Sequence, residues 1–260
     1  MKGRPMSRAM TLPTTERRRL TLPEAGAQVR AADGDDTSPT FVGYAAKFND
    51  RTAIGNPLTW GFYEEVADGA FTKTLTEGDS RFLVDHDTRM IVSRVSAGTL
   101  RLAQDKSGLA VDSDLNVRKS YVADLVENLD DGSVTGMSFG FEVLKDDWQT
   151  IDIETKDGDT VQAELRILRE VKLWEVSAVT FPAYDSTEAS LRSVATALVQ
   201  RGDHDAILRH AEHKPELLQY TEVDEPGRPT RRNGTEPAVS TPSLDLAMKG
   251  YAALYGLPLP

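Results

Sequence analysis

The sequence contains no cysteine and only 4 histidines among its 260 residues. Without thiols the chain can form neither disulfides nor thiolate metal sites, and a cysteine nucleophile is excluded. No apolar run approaches the ~18–20 residues that a helix needs to cross a bilayer. We therefore expect a soluble, intracellular protein, in which any chemistry that depends on histidine has few residues to use.

Charge is spread unevenly, and composition divides the chain into three parts. Residues 40–190 carry 15 Lys or Arg against 27 Asp or Glu, whereas residues 1–39 carry 7 against 5, including the basic cluster Arg17–Arg19. An acidic core repels phosphate backbones and disfavours nucleic-acid binding. We predict a disordered basic arm over 1–39, a folded domain over 40–200, and a polar C-terminal helix, linker and tail over 201–260.

Strand signals dominate the predicted folded domain. We expect a hairpin from 98–103 and 108–115, and further strands over 40–48, 62–66, 81–86, 134–144 and 165–180. Apolar residues at helical spacing predict a helix from Ser120 to Leu129 with Ser120 as its N-cap. Other helices are expected around 72–76 and over 187–200. The pattern favours a mainly β fold of the α+β class, a barrel or sandwich rather than a wound α/β sheet.

Three short segments carry the residues of most chemical interest. His86 stands between two aspartates at the end of a predicted strand, Ser138 is surrounded by glycine and phenylalanine, and Glu175 interrupts an apolar strand. A serine becomes a good nucleophile when a base takes its proton, and that base is usually a histidine held by a carboxylate. His86 is the main candidate for such a base, because the remaining histidines lie in the polar C-terminal region: His204, His210 and His213.

Each of these residues also has a purely structural interpretation. His86 fits a solvated surface position, Ser138 an ordinary strand with small packing residues, and Glu175 a half-exposed strand with its carboxylate outward. Ser177 is a competing nucleophile, although support of the strand packing is its simpler role. The three C-terminal histidines are predicted to lie on a solvated helix. No metal site and no cofactor are indicated.

Taken together, the segments resemble a known family, the prohead proteases of tailed bacteriophages. The resemblance runs from about residue 42 to 189 in constant order and spacing. It rests on Gly43-Tyr44-Ala45-Ala46-x-Phe48, Gly69-Ala70-Phe71, His86-Asp87, Gly98-Thr99-Leu100-Arg101-Leu102, Gly108-Leu109, Met137-Ser138-Phe139-Gly140-Phe141 and Glu175-Val176-Ser177-x-Val179-Thr180-x-Pro182-Ala183-Tyr184. One departure is Ile91–Arg94, which stands where family members commonly have a glycine-rich stretch and leaves the geometry of that loop open.

The resemblance implies a serine endopeptidase of capsid maturation whose fold is similar to herpesvirus assemblin, a β-barrel surrounded by a few helices. By position, Ser138 would be the nucleophile, His86 the base and Glu175 the third member of a triad. The implied substrates are the scaffolding segment of the major capsid protein or a separate scaffold protein, cut inside the immature prohead in the host cytoplasm, and the protease itself. Resemblance to assemblins also favours a homodimer.

Two non-enzymatic functions are alternatives. A domain of this family without activity would serve as a scaffold or capsid-interaction module, although all three candidate catalytic residues are present. A DNA-packaging or portal-associated protein would use the basic Arg17–Arg19 cluster, although the acidic core weighs against it. A serine-reactive probe distinguishes an enzyme from the first alternative, and a salt-dependent DNA shift would support the second.

Overall fold

The computed structural model describes residues 15–31, 38–155, 157–181 and 187–221. The predicted C-terminal linker and tail lie outside the described residues. Five helices are described: α1 (Leu22–Ala25), α2 (Thr72–Glu77), α3 (Ser120–Asp130), α4 (Thr187–Arg201) and α5 (His204–His213). The strands are β1 (Glu16–Thr21), β2 (Gln28–Arg30), β3 (Thr40–Lys47), β4 (Thr52–Ile54), β5 (Phe62–Val66), β6 (Arg81–Val84), β7 (Asp87–Arg94), β8 (Leu100–Gln104), β9 (Gly108–Asp114), β10 (Gly136–Glu154) and β11 (Thr160–Val179).

The described strands form two sheets. The larger has the order β1-β10-β11-β5-β4, with β6 pairing with β11 and β7 pairing with β6. The smaller has the order β2-β3-β9-β8. The expectation of a mainly β fold with helices is confirmed. Over the described residues, however, the strands make two sheets and not the closed barrel that the assemblin resemblance implies.

A long antiparallel hairpin of β10 and β11 forms the centre of the larger sheet. Side chains along a strand alternate between its two faces. One face of this hairpin joins the main apolar core through Met137, Phe139, Phe141, Val176 and Ala178. The intervening residues therefore lie on the opposite face: Ser138, Gly140, Glu175 and Ser177.

A second apolar cluster covers the side of the hairpin nearest its turn and is built mainly from α4, α5 and a following 3-10 turn, Pro215–Tyr220. Residues on both sides of the predicted domain boundary at residue 200 belong to this cluster. Its buried members are Ile54, Phe62, Leu191, Val194, Ala195, Ala197, Leu198, Ala206, Ile207, Ala211, Leu217 and Leu218. α4 and α5 are not one continuous helix. Gly202, which lies between them, has a φ of 70°, and Asp203 caps the start of α5 by accepting from the Ala206 N–H.

Residues 16–30 differ most from the sequence-based expectation, which placed them in a disordered arm. β1 pairs with β10 and β2 pairs with β3. Between them, Thr21 and Glu24 form a reciprocal capping box at the start of α1, an arrangement that satisfies two otherwise unpaired N–H groups. Leu20 and Leu22 pack against the main core. The segment is ordered because its partners are distant strands that local composition does not reveal.

Other elements agree with the expected pattern or extend it. The predicted hairpin forms as β8 and β9, and α3 begins at Ser120, but its N-cap is Lys119, which makes no side-chain cap bond. Ile91–Arg94, expected as a loop of open geometry, is the second half of β7. β10 and β11 continue well beyond residues 144 and 165, because their polar arms pair with each other.

Candidate active site

The candidate histidine lies in a tight turn that follows β6. Asp85 and His86 have positive φ values of 46° and 60°, a left-handed conformation that non-glycine residues adopt where their surroundings impose it. The Asp85 carboxylate accepts from the backbone N–H and the hydroxyl of Thr180, at 2.8 and 2.9 Å. The Asp85 N–H donates to the Ala178 carbonyl. These bonds dock the turn on the end of β11 and fix the position of the His86 ring.

Glu175 of β11 holds this ring by a hydrogen bond of 2.7 Å between His86 Nδ1 and Glu175 Oε1. Only 5% of the His86 side chain and 12% of the Glu175 side chain are exposed. An ionised carboxylate can only accept, so a neutral imidazole in this bond is the Nδ1–H tautomer, with its lone pair at Nε2. Nε2 is buried and makes no hydrogen bond to the described residues. The site therefore contains an oriented imidazole with a free basic nitrogen.

The rest of the Glu175 carboxylate is enclosed by its neighbours on the sheet. The Ser177 hydroxyl donates to Oε2 at 2.5 Å. Gly140 is the ladder partner of Glu175, and a Cβ added there would clash with Oε1. Space for the carboxylate thus depends on glycine at this position. Ser177 contacts the carboxylate and not the histidine.

Ser138 lies directly opposite Ser177 in the β10–β11 ladder and is fully buried. Its hydroxyl donates to the backbone carbonyl of Arg18 at 3.0 Å. Arg18 belongs to β1, which pairs with β10 so that Arg19 faces Ser138. The structure therefore brings Ser138 and Glu175 to one sheet face and joins Glu175 to His86, but no hydrogen bond joins Ser138 to His86.

The chemistry open to this face follows from its geometry. Ser138 and Glu175 are diagonal cross-strand neighbours, a relation that separates Cα atoms by roughly 7–8 Å. The imidazole is bonded to this carboxylate. A hydroxyl, an oriented imidazole and a buried carboxylate are the groups that nucleophilic acyl transfer requires.

A second histidine is also paired, contrary to the expectation of a solvated C-terminal helix. His210 on α5 is 7% exposed, and its Nε2 lies 3.0 Å from Glu164 Oε2 on β11. Arg201 contacts the same carboxylate at 2.8 Å. Burial alone would raise the pKa of Glu164, but the bonds from His210 and Arg201 outweigh it and lower the pKa to about 2. No local pattern in the sequence indicates this pair, because its members are 46 residues apart.

A buried ion network lies on the opposite face of β1 from Ser138. The Arg18 guanidinium donates to Glu64 at 2.5 and 2.9 Å and to Glu16 at 2.6 Å. Arg166, which has no exposed side-chain surface, contacts Glu16, Glu64 and Asp146. Burial alone would lower the pKa of Arg18, but Glu64 and Glu16 outweigh it and keep the pKa above its ordinary value. Arg18 is therefore a permanent buried cation.

Sequence reasoning missed this network, although one signal was available. Arg166 stands between Leu165 and Ile167 in a strand, and a charged side chain at such a position must be paired to be buried. Its partners could not be identified from the sequence, because Glu16 and Glu64 lie 150 and 102 residues away. Gly140 was noted for its small size, but not for the room that it gives to Glu175.

Nothing in the described part of the chain resembles a metal centre: no group of three or more His, Asp or Glu residues is arranged to hold an ion. Among the same residues, no helix is both long and apolar enough to cross a membrane.

Comparison with known proteins identifies the family. The family model of the caudovirus prohead serine proteases matches residues 26–201. The prohead protease of Enterobacteria phage HK97 is 31% identical over 166 residues, which are 62% of this chain and 64% of the HK97 protein. The match thus spans less than two thirds of that relative. The capsid assembly protease gp21 of bacteriophage T4 aligns with 63% of this chain and 98% of its own, at 12% identity and a TM-score of 0.33, a likeness too low to support an argument. By the extent of the family match, the chain belongs to the caudovirus prohead serine protease family.

Proposed function

We propose that this chain is a serine endopeptidase that cuts polypeptides during assembly of a phage capsid. Ser138 is the nucleophile, His86 the general base and acid, and Glu175 the carboxylate that orients the imidazole. The observation that carries the proposal is the buried His86–Glu175 hydrogen bond, which leaves Nε2 without a partner beside the sheet face that holds Ser138.

In this mechanism His86 Nε2 takes the proton of the Ser138 hydroxyl as Oγ attacks the carbonyl carbon of a peptide bond. The C–N bond breaks, the same proton passes from His86 to the departing amine, and an ester of Ser138 is left for water to hydrolyse. Glu175 keeps Nδ1 protonated before attack and stabilises the imidazolium that forms. Ser138 and His86 are not hydrogen-bonded to each other. This agrees with the scheme, because catalytic hydrogen bonds are often long without substrate and tighten only when substrate binds.

Family membership supports a proposal for the substrate class. We propose that the chain cuts the scaffolding segment of the major capsid protein, or a scaffold protein, within the prohead in the host cytoplasm. The similarity to the prohead protease of phage HK97 supports this assignment. The protease is also proposed to cut itself. The homodimer favoured by the assemblin resemblance stays a prediction.

Co-expression with the capsid protein encoded beside this chain tests the proposal. We expect intact-mass analysis to find a shortened capsid protein with the wild type and a full-length one with Ser138→Ala. Ser113→Ala is the matched control, because Ser113 is equally buried but bonds to Ser93 away from the site. That control should cut the capsid protein like the wild type.

Two results would overturn the assignment. Full cutting by folded Ser138→Ala would remove Ser138 as the nucleophile. Unchanged capsid masses with the wild type, together with no fluorophosphonate label on Ser138, would identify an inactive scaffold or capsid-interaction module.

A further inference from the structure

β1 occupies the outer edge of β10, the strand that carries Ser138. β10 pairs with β11 on its other side, so no second chain can pair with β10 next to Ser138 while β1 is in place. Extended peptides commonly bind proteins by adding a strand to such an edge, with backbone hydrogen bonds giving affinity and pockets for alternate side chains giving specificity. β1 has the position that a substrate of this kind would take.

The register places one peptide bond of β1 at the candidate nucleophile. Ser138 Oγ contacts the carbonyl oxygen of Arg18 at 3.0 Å, and Arg19, the next residue, is the ladder partner of Ser138. Arg19 also contacts the Phe181 carbonyl through its guanidinium at 3.2 Å. The bond between Arg18 and Arg19 is therefore the one presented to the serine.

The side chain of Arg18 fills a pocket that is specific for a cation. Glu64 binds its guanidinium through both oxygens, and the ring of Phe141 lies 5.5 Å from the guanidinium carbon. Two aligned bonds to one carboxylate match a planar guanidinium closely. Only 10% of the Arg18 side chain is exposed, so an uncharged residue here would leave Glu64 short of a partner in a buried site.

Glu16 adds a second point of recognition two residues before Arg18. Its carboxylate contacts Arg18 and also Arg166, which Asp146 and Gln200 hold in place. Arg17, between them, points to the other face and is exposed. On the inward face of β1, an acidic residue is therefore followed, two positions later, by a basic residue.

We propose that β1 is bound in the substrate site of this protease, that Glu64 forms the pocket for a basic residue whose carbonyl Ser138 attacks, and that the chain's own first cut falls between Arg18 and Arg19. This inference rests on the proposed function. The step is peptide hydrolysis: Ser138 Oγ bonds to the Arg18 carbonyl carbon, the bond to the Arg19 nitrogen breaks, and that nitrogen leaves as an amine with the proton carried by His86.

The chain on either side of this bond is held very differently. After the cut, Arg19 to Thr21 stay attached through α1, whose Leu22 N–H donates to the Thr135 carbonyl. On the other side, only Glu16 to Arg18 of β1 hold the released segment among the described residues. The family match begins at residue 26, so β1 lies outside the matched part whereas β10 lies within it. When Glu16 to Arg18 leave after the cut, the edge of β10 from Phe139 to Phe141 becomes free for another polypeptide.

Intact mass of the purified full chain tests the cut. We expect wild-type chain to lose residues 1–18 and to begin at Arg19, and Ser138→Ala to retain them. Arg18→Gln should slow the loss at least about tenfold, since it removes a buried charged partner. Arg17→Gln, its matched control on the exposed side of β1, should be cut like the wild type, and Arg18→Lys should keep a substantial part of the rate.

Peptides test the pocket separately. A synthetic peptide with the sequence of residues 15–22 should be cut after the position of Arg18 at least about tenfold faster than the same peptide with glutamine there. In a Glu64→Gln protease the ratio of the cutting rates of the two peptides should fall towards one. A loss of stability would lower both rates and leave their ratio unchanged. Thermal unfolding shows whether the Glu64→Gln variant is folded. The Arg18→Gln variant tests the same contact from the side of the substrate.

The outcomes separate this inference from the proposed function. If the capsid protein is cut in a Ser138-dependent way, but the chain keeps residues 1–18 or the peptides show no preference for arginine, the function stands and this inference is wrong. A first cut elsewhere in the chain would also overturn it. If neither capsid protein, chain nor peptide is cut, the proposed function fails and this inference fails with it.

Discussion

Two glutamates of β11 each bond to a histidine from another element, and they differ in what else each carboxylate contacts. Glu164 bonds to His210 and also to Arg201, a permanent cation. Glu175 bonds to His86 and to the hydroxyl of Ser177, a neutral group. In both pairs the second ring nitrogen is buried without a partner among the described residues. The pairing of a histidine with a carboxylate therefore does not by itself distinguish a catalytic base.

The surroundings distinguish the two pairs. The charge of Glu164 is shared with Arg201, and no hydroxyl among the described residues is hydrogen-bonded to it. In the part of the chain that the structure describes, Glu175 has no Lys or Arg partner, so its charge is available to stabilise an imidazolium at His86. Ser138 lies on the same sheet face as Glu175. We infer that the first pair holds α5 on the hairpin and that the second performs the chemistry.

Replacing the histidines gives the largest expected contrast. His86→Ala should lower kcat/KM for cutting of the proposed capsid substrate by roughly 10²–10⁴-fold, because the proposed general base is lost. His210→Ala should leave kcat/KM within about twofold, but lower the Tm by several degrees, because a buried contact between α5 and β11 is lost. Mass spectrometry of the digest and thermal unfolding measure the two quantities. Equal loss of activity in two folded variants would contradict the division of roles.

The carboxylates provide the next test. Glu175→Gln should lower kcat by about a hundredfold without unfolding the chain, because an amide keeps the geometry but loses the charge that favours the imidazolium. Glu164→Gln is the matched control and should lower stability with little change in kcat. Rates measured from pH 5 to 9 check the role, and a Glu175→Gln profile identical to that of the wild type would remove Glu175 from the site.

Ser177→Ala should have a smaller effect. It removes the hydroxyl that donates to Glu175 Oε2, and a hydrogen bond of this kind contributes on the order of 1 kcal/mol, so we expect a loss of kcat/KM of about three- to tenfold. Ser113→Ala should lose stability alone. Complete loss of activity in Ser177→Ala, with Ser138→Ala still active, would instead make Ser177 the nucleophile.

The smallest expected effect is on the free energy of unfolding at acidic pH. Since the pKa of Glu164 falls to about 2 in the folded chain from an ordinary 4.5, its ionised form stabilises the fold above pH 4.5, and this contribution disappears as the pH falls towards 2. The free energies of unfolding of wild type and Glu164→Gln, measured in urea, should therefore differ by a constant amount near neutral pH. This difference should shrink between pH 4.5 and 2. A difference that grows on acidification would contradict the ion pair.

Local patterns in the sequence were sufficient for elements whose side chains alternate cleanly or repeat at helical spacing. β3, β5, α3 and the β8–β9 hairpin are of this kind. The polar arms of β10 and β11 were missed because their charged residues are paired only across the hairpin, as Lys145 is with Glu170. β1 was missed because three consecutive arginines look solvated, whereas the partners of Arg18 lie in a distant strand.

The same limit applies to the candidate site. The family resemblance singled out His86, Ser138 and Glu175, and the structure joins two of them directly. The resemblance could not indicate that Ser138 contacts the chain's own backbone, since that contact depends on the register between β1 and β10. Nor could it separate His210 from a solvated histidine, since helical spacing does not reveal an acceptor on another element.

The irregular pairing within the β10–β11 hairpin has a consequence for how such a chain can change in length. Between residues 136 and 140 the ladder is regular, and the register slips only at Gly140/Phe141 and again around Lys145. If the preceding residues keep their register, one residue inserted between Gly136 and Met137 would turn the serine towards the apolar core and put Met137 in its place. An insertion around Lys145 would meet pairing that already accommodates an extra residue. Evolution by insertion and deletion is therefore open at the far end of this hairpin and closed at the end that carries the serine.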